Sequence, residues 1–281
     1  MPQKPSYLFV SPHLDDAILS CGGLFSYLAP KTDVTIATVF TEAHNSPTSL
    51  SIRRFLKNSG YDDSEKLFIE RRREDKIIND LIGVKTIHLR FTDGLYRLKS
   101  NANRLELALG NILQEAKFIY PLFAWQLKMG KVSSNDGQLI NEITRKIEGL
   151  VGPKTVLFAP VATGSHMDHK IVRRAIEGRF ENVIFWSDFP YNVWDNQFSS
   201  DLGSRGYQRW EWNNNLDEKI KLIRMIKTQV SLLFPDGNIP KVPEYYFAKE
   251  GVVPFPATVG GLKPLAKEDQ YSESQEGDQR L

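Results

Sequence analysis

Cysteine is nearly absent: 281 residues carry only Cys21. A lone cysteine cannot close an internal disulfide, and it offers one sulfur ligand at most, so neither a disulfide framework nor a thiolate-rich metal cluster shapes this chain. An excess of charge is missing too. Lys and Arg total 36 against 34 for Asp and Glu, which leaves no basic footprint for nucleic acid and no acidic tail. No window approaches the roughly 20 apolar residues of a membrane span. The opening MPQKPSYLFVS holds too short an apolar stretch for a secretory core with its cleavage site. These absences set the expectation of a cytoplasmic protein with no nucleic-acid partner and no membrane span.

What is present is ordinary in bulk, 41% hydrophobic and 25% charged residues, and long enough to bury a full core. SYLFVS and DVTIATVF are short β-branched and aromatic runs separated by a helix-length segment. SEKLFIERRREDKIINDLIG repeats at helical spacing, with Ser64 as the expected N-cap and Gly83 as its stop, before the strand-like KTIHLRF. GQLINEITRKIEGLVG, TVLFAP, HKIVRRAIEGRF and NVIFWSDF then alternate helix, strand, helix, strand. This rhythm predicts an α/β fold, a Rossmann-like three-layer sandwich with a mostly parallel central sheet. One domain over residues 1–265 is expected, with a helical insertion at 101–131 serving as lid, insertion or subunit contact. The polar residues 266–281 are expected to be disordered. LDEKIKLIRMIKTQVSLLF predicts one amphipathic helix.

The chemistry gathers at two strand-to-helix turns. In open parallel sheets, ligands bind beyond the carboxyl ends of the strands. PHLDDAILSCGG places His13, Asp15 and Asp16 at such a turn, with Gly22 and Gly23 available for close approach. Either aspartate alone would pass as a helix cap and His13 as a loop histidine, but two consecutive aspartates cannot both be the N-cap. APVATGSHMDHKIV repeats the arrangement with His166, Asp168 and His169. Three of the chain's five histidines therefore fall in two equivalent turns. Imidazole and carboxylate form a donor set for zinc or iron, and a carboxylate left uncoordinated can act as a base. Of two histidines three apart, one can bind metal while the other moves protons or stabilises an oxyanion.

These two motifs in this order resemble the LmbE-like, or PIG-L, family of zinc-dependent deacetylases, which includes N-acetylglucosaminyl-phosphatidylinositol deacetylases. The family's His-Pro-Asp-Asp-Glu reads His-Leu-Asp-Asp-Ala here, with Leu14 for proline and Ala17 for glutamate. RRREDKIINDLIGV is similar to the family's arginine-and-glutamate helix, and RFTDG to its Phe-Pro-Asp-Gly turn with Thr92 for proline. The resemblance implies that His13, Asp16 and His169 ligate zinc, with Fe2+ or Co2+ as alternatives. It implies Asp15 as general base, His166 as acid or oxyanion stabiliser, and Asp168 as the carboxylate orienting His166. Arg72 and Asp93 would contact substrate.

The resulting expectation is a zinc-dependent amidohydrolase that removes an N-acyl group, most often acetyl, from an amino sugar or glycoconjugate. A metal-dependent phosphoesterase and a non-catalytic sugar-binding relative are the alternatives. Two-metal phosphoesterases need more ligands than these clusters supply, and mere binding has no use for Asp15. A dinucleotide site is excluded because the first turn lacks Gly-x-Gly-x-x-Gly. The aromatics between Trp186 and Trp212 would serve either as a sugar-stacking wall or as core, and a homo-oligomer stays open.

Overall fold

Apolar runs that bury both faces become strands, and the amphipathic stretches between them become crossover helices. The computed structural model describes residues 6–99, 113–194, 199–249 and 262–264. Strand β1 (Ser6–Ser11) leads into α1 (Asp16–Leu28), β2 (Asp33–Glu42), α2 (Leu50–Ser59), α3 (Ser64–Leu81) and β3 (Lys85–Thr92). Helices α4 (Phe123–Met129) and α5 (Gly137–Glu148) precede β4 (Thr155–Pro160), α6 (Met167–Ile176) and β5 (Ile184–Trp186). Next come α7 (Tyr191–Trp194), α8 (Ser199–Ser204), β6 (Tyr207–Trp212), α9 (Leu216–Arg224), α10 (Lys227–Leu233), β7 (Glu244–Lys249) and β8 (Leu262–Pro264).

Among the described residues the strands form one eight-stranded sheet, ordered β3-β2-β1-β4-β5-β7-β6-β8. Strands β3 to β5 in that order are parallel, and β7, β6 and β8 extend the sheet antiparallel. From β1 the chain moves outward to β2 on one side, while β4 flanks β1 on the other. Their carboxyl ends therefore open a crevice at the topological switch point.

Period-two alternation in β1 builds the three layers. Tyr7 and Phe9 pack with Phe25 of α1, Ile78 of α3 and Leu222 of α9. Leu8 and Val10 face Ile143 of α5 and Ile171 of α6. Phe9 stacks on Phe158 at 4.2 Å and meets Phe25 edge-on at 4.6 Å, and burying such a ring contributes about 1.5–3 kcal/mol. The central strand that carries the first cluster is thus held rigidly from both faces.

Two details differ from the sequence expectation. Asp63, not Ser64, caps α3, its carboxylate accepting from the Lys66 N–H at 2.8 Å. The amphipathic stretch after residue 215 is two helices, broken between Arg224 and Lys227. The break frees the Thr228 N–H and hydroxyl to donate to Glu74 of α3, at 3.2 and 2.6 Å, a carboxylate at a helix N-terminus being favourable. At Gly22 and Gly23 the expected close approach is made by the chain itself. A Cβ at Gly23 would lie 2.9 Å from the Asn214 carbonyl oxygen, so its bareness serves chain packing. Residues 101–112 of the expected insertion and the whole 266–281 tail lie outside the described residues. No described helix is long and apolar enough to cross a membrane.

Candidate active site

The β1-to-α1 turn is capped in a way that leaves one carboxylate unused. The Ser11 hydroxyl donates to the His13 carbonyl at 2.7 Å and accepts from the Ala17 N–H at 3.1 Å. Asp16 Oδ2 accepts from the His13 N–H at 2.8 Å. Asp15 occupies the N-cap position yet makes no side-chain cap bond. The β4-to-α6 turn is tighter. Ala162, Gly164 and Ser165 all adopt positive φ, a cost for the two non-glycine residues of order 1 kcal/mol each. Gly164 leaves room for the Tyr191 ring, whose Cγ would lie 2.7 Å from an added Cβ. The turn ends at His166, whose Nδ1 accepts from the Asp168 N–H at 3.2 Å to cap α6.

The two turns meet at Asp16. His13 Nδ1 lies 3.0 Å and His169 Nε2 3.2 Å from the same Asp16 Oδ2. The donor atoms of His13, Asp16 and His169 all fall within 4.8 Å of one another, and all three residues are buried. Apart from that Asp16 contact, His169 Nε2 has no polar partner. Two imidazoles converging on one carboxylate oxygen fit a divalent metal ion.

Behind each histidine stands a carboxylate. His169 Nδ1 meets Asp188 Oδ1 at 2.6 Å, and His13 Nε2 meets Asp168 Oδ2 at 3.1 Å. Asp168 also accepts from the Gly94 N–H at 2.9 Å and faces Arg97 Nη1 at 2.6 Å. An added Cβ at Gly94 would sit 2.8 Å from both Asp168 oxygens, so only glycine fits there. The electrostatics follow from this packing. Burial alone would raise the Asp168 and Asp16 carboxyls, but Arg97 holds Asp168 down, and the His169 and His13 charges hold Asp16 well below its usual range. His169 is lifted to about 10 by Asp16 and Asp188 against the opposing effect of burial. His166 moves the other way, well below its ordinary value, because it is buried and faces His13 and His169.

Asp15, Asp93 and His166 line one cavity of about 200 Å³ together with His13 and Asp16. Burial raises the Asp15 carboxyl, with Arg71 opposing. Arg71 Nη2 lies 3.5 Å from Asp15 Oδ2. Asp93 Oδ2 lies 3.6 Å from His13 Nε2. Two placements correct the sequence expectation. The arginine in the cavity is Arg71, whereas Arg72 is turned onto the Thr41 carbonyl and Glu42 at 2.5 and 3.1 Å. Helical phase was the available signal, since Leu67, Phe68, Arg71, Asp75 and Ile78 share the buried face of α3. Asp168 does not orient His166 through its carboxylate, which is taken up by His13, Gly94 and Arg97.

The cavity wall comes from segments no motif marked. Phe123 and Leu127 of α4, Tyr191 of α7, and Gln229 and Leu233 of α10 complete it. Trp186, Phe189 and Trp212 are core residues, so most of the aromatic stretch supports the fold and Tyr191 alone of its described members reaches the cavity. The other two histidines lie elsewhere, His44 on the Tyr96 carbonyl and His88 on Asp75, each at 2.7 Å.

Known proteins resemble this chain over the region that carries both histidine turns. The chain is 30% identical over 190 residues to a 2'-N-acetylparomamine deacetylase of Streptomyces fradiae, covering 66% of this chain and 57% of that protein, under two thirds of its length. A second 2'-N-acetylparomamine deacetylase, from Niallia circulans, is 24% identical over 260 residues, covering 85% and 86% of the two chains. The solved A40926 pseudoaglycone deacetylase shares the fold, with a TM-score of 0.63 at 23% identity over 88% of this chain and 97% of its own. A family model described as PIG-L, GlcNAc-PI de-N-acetylase, matches residues 8–180, which span β1 through α6 and so hold both histidine turns. The match takes in more than half of the sequence, and the chain belongs to the PIG-L family.

Proposed function

We propose that this chain is a metal-dependent amidohydrolase that removes an N-acetyl group from an amino sugar or amino-sugar conjugate, acting in the cytoplasm. The carrying observation is Asp15. It lines the same cavity as His13 and Asp16, yet it caps nothing and lies outside the His13, Asp16 and His169 donor set. Zinc is the metal that best suits two imidazoles and a carboxylate with an open position, and Fe2+ or Co2+ would fit the same atoms. The names of the relatives, both 2'-N-acetylparomamine deacetylases, support an aminoglycoside-type amino sugar as substrate.

When bound, the metal supplies a water acidified to near neutral pH and polarises the amide carbonyl. Asp15 takes the proton of the attacking water and returns it to the leaving amine, so acetate and free amine result. His166 accepts a backbone N–H at Nδ1, which leaves Nε2 to carry the proton and donate to the tetrahedral oxyanion. Arg71 keeps Asp15 in place and offers a cationic donor to substrate oxygens. Asp93, in the cavity lining, accepts from sugar hydroxyls.

The test pairs metal content by elemental analysis with acetate release from N-acetylated aminoglycosides and N-acetylglucosamine conjugates, for the wild type and His169→Ala. The wild type is expected to hold about one metal ion and release acetate, and the variant to lose both. A wild type that binds no divalent metal would overturn the assignment.

A further inference from the structure

We infer that Asp188 is a positioning residue that fixes His169 as an Nε2 metal ligand by taking the imidazole proton at Nδ1. The inference rests on the metal-dependent reading above and concerns a residue outside the two histidine turns. His169 Nδ1 and Asp188 Oδ1 lie 2.6 Å apart, with side chains 1% and 2% exposed. The second Asp188 oxygen accepts from the Thr163 N–H at 2.9 Å, in the loop that carries His166. Both oxygens of the carboxylate are thereby committed. Its backbone is pinned as well: the neighbouring Ser187 N–H donates to the Tyr245 carbonyl of β7 at 2.9 Å, and the Asp188 carbonyl accepts from Asn192 at 2.9 Å.

The two nitrogens of the imidazole meet different carboxylates. Nε2 faces Asp16 Oδ2 at 3.2 Å, the oxygen that His13 Nδ1 also meets. A ring whose Nδ1–H is bound to a fixed acceptor presents its Nε2 lone pair, which is the atom a metal takes. A carboxylate–histidine pair serving packing alone would have no reason to aim the far nitrogen at a carboxylate oxygen that a second imidazole also meets. One carboxylate also links the sheet end at β5 to both the ligand His169 and the loop before His166. The metal ligand and the oxyanion donor thereby share one anchor.

Asp188→Asn is nearly isosteric and keeps a carbonyl oxygen for the Thr163 N–H. Its amide NH2 then faces Nδ1, and donor against donor disfavours the Nδ1–H form that ligation requires. Affinity for Zn2+ and Co2+, measured by chelator competition without substrate, is expected to fall about 10–100-fold, while circular dichroism shows a folded protein. In zinc-loaded wild type, 15N NMR is expected to find His169 protonated at Nδ1. Wild-type affinity in a folded Asp188→Asn, or a proton at Nε2 in the loaded wild type, would overturn the proposal and leave the metal-dependent reading standing. If the variant does not fold, the wild-type NMR result decides alone. A wild type that binds neither metal overturns the reading itself and this inference with it.

Discussion

Asp15 draws its chemical value from what surrounds it. Ser11 and Asp16 meet the backbone needs of the turn, so Asp15 keeps its oxygens for the cavity, where Arg71 at 3.5 Å is its near cation. A general base within reach of the reacting water contributes about 10²–10⁴-fold in rate. We therefore predict that Asp15→Asn lowers kcat by about that factor with metal content unchanged, as read by acetate release and elemental analysis on one preparation. A loss of metal in that variant would make Asp15 a ligand instead. Arg71 and Arg72 show how finely such roles depend on phase. A helix turns about 100° per residue, and that single step separates a cavity wall from a partly exposed pair with Glu42.

At the scale of elements, the segment between β3 and β4 is tied to His13 by a chain of buried charges. Arg97 lies between Asp168 Oδ1 at 2.6 Å and Asp136 Oδ1 at 3.1 Å, and the Tyr120 hydroxyl donates to Asp136. Through Asp168 the chain ends on His13. Removing the cation leaves two buried carboxylates without their partner, a loss of about 3–5 kcal/mol. Arg97→Met is predicted to lower the melting temperature by roughly 6–20 °C, taking about 2–4 °C per kcal/mol for a chain of this size. Arg145→Ala, on an exposed face of α5, should change it little, and scanning calorimetry on both checks the contrast. Strands such as β1 and β4 were legible because burial on both faces produces continuous apolar runs. The break between α9 and α10 was not, since the apolar period continues through Met225 and Ile226, and the group that rewards the break, Glu74, lies 154 residues away from Thr228.

For the whole molecule, the two histidine turns were legible because each combines a strand end with scarce residue types. Their convergence follows from a parallel sheet that places β1 beside β4. Asp188 and Arg97 escaped notice for the converse reason. A single Asp after a strand and a single Arg after a turn carry no pattern, and their meaning lies in contacts across the crevice. That crevice also has a thermodynamic consequence. His13 and Asp16 belong to the β1–α1 unit and His169 to the β4–α6 unit, so a metal ion held by all three would add to the strand pairing, side-chain packing and His13–Asp168 and Asp16–His169 contacts that join the two units. A ligand that binds only the folded state adds about 2.7 kcal/mol at one hundred times its dissociation constant. We predict that stripping metal with a chelator lowers the melting temperature by roughly 5–11 °C relative to protein in excess zinc, reversibly on readdition. In His169→Ala the same treatment should produce no shift, because the β4–α6 unit has lost its donor. A shift of equal size in that variant would place the stabilising metal somewhere other than this crevice.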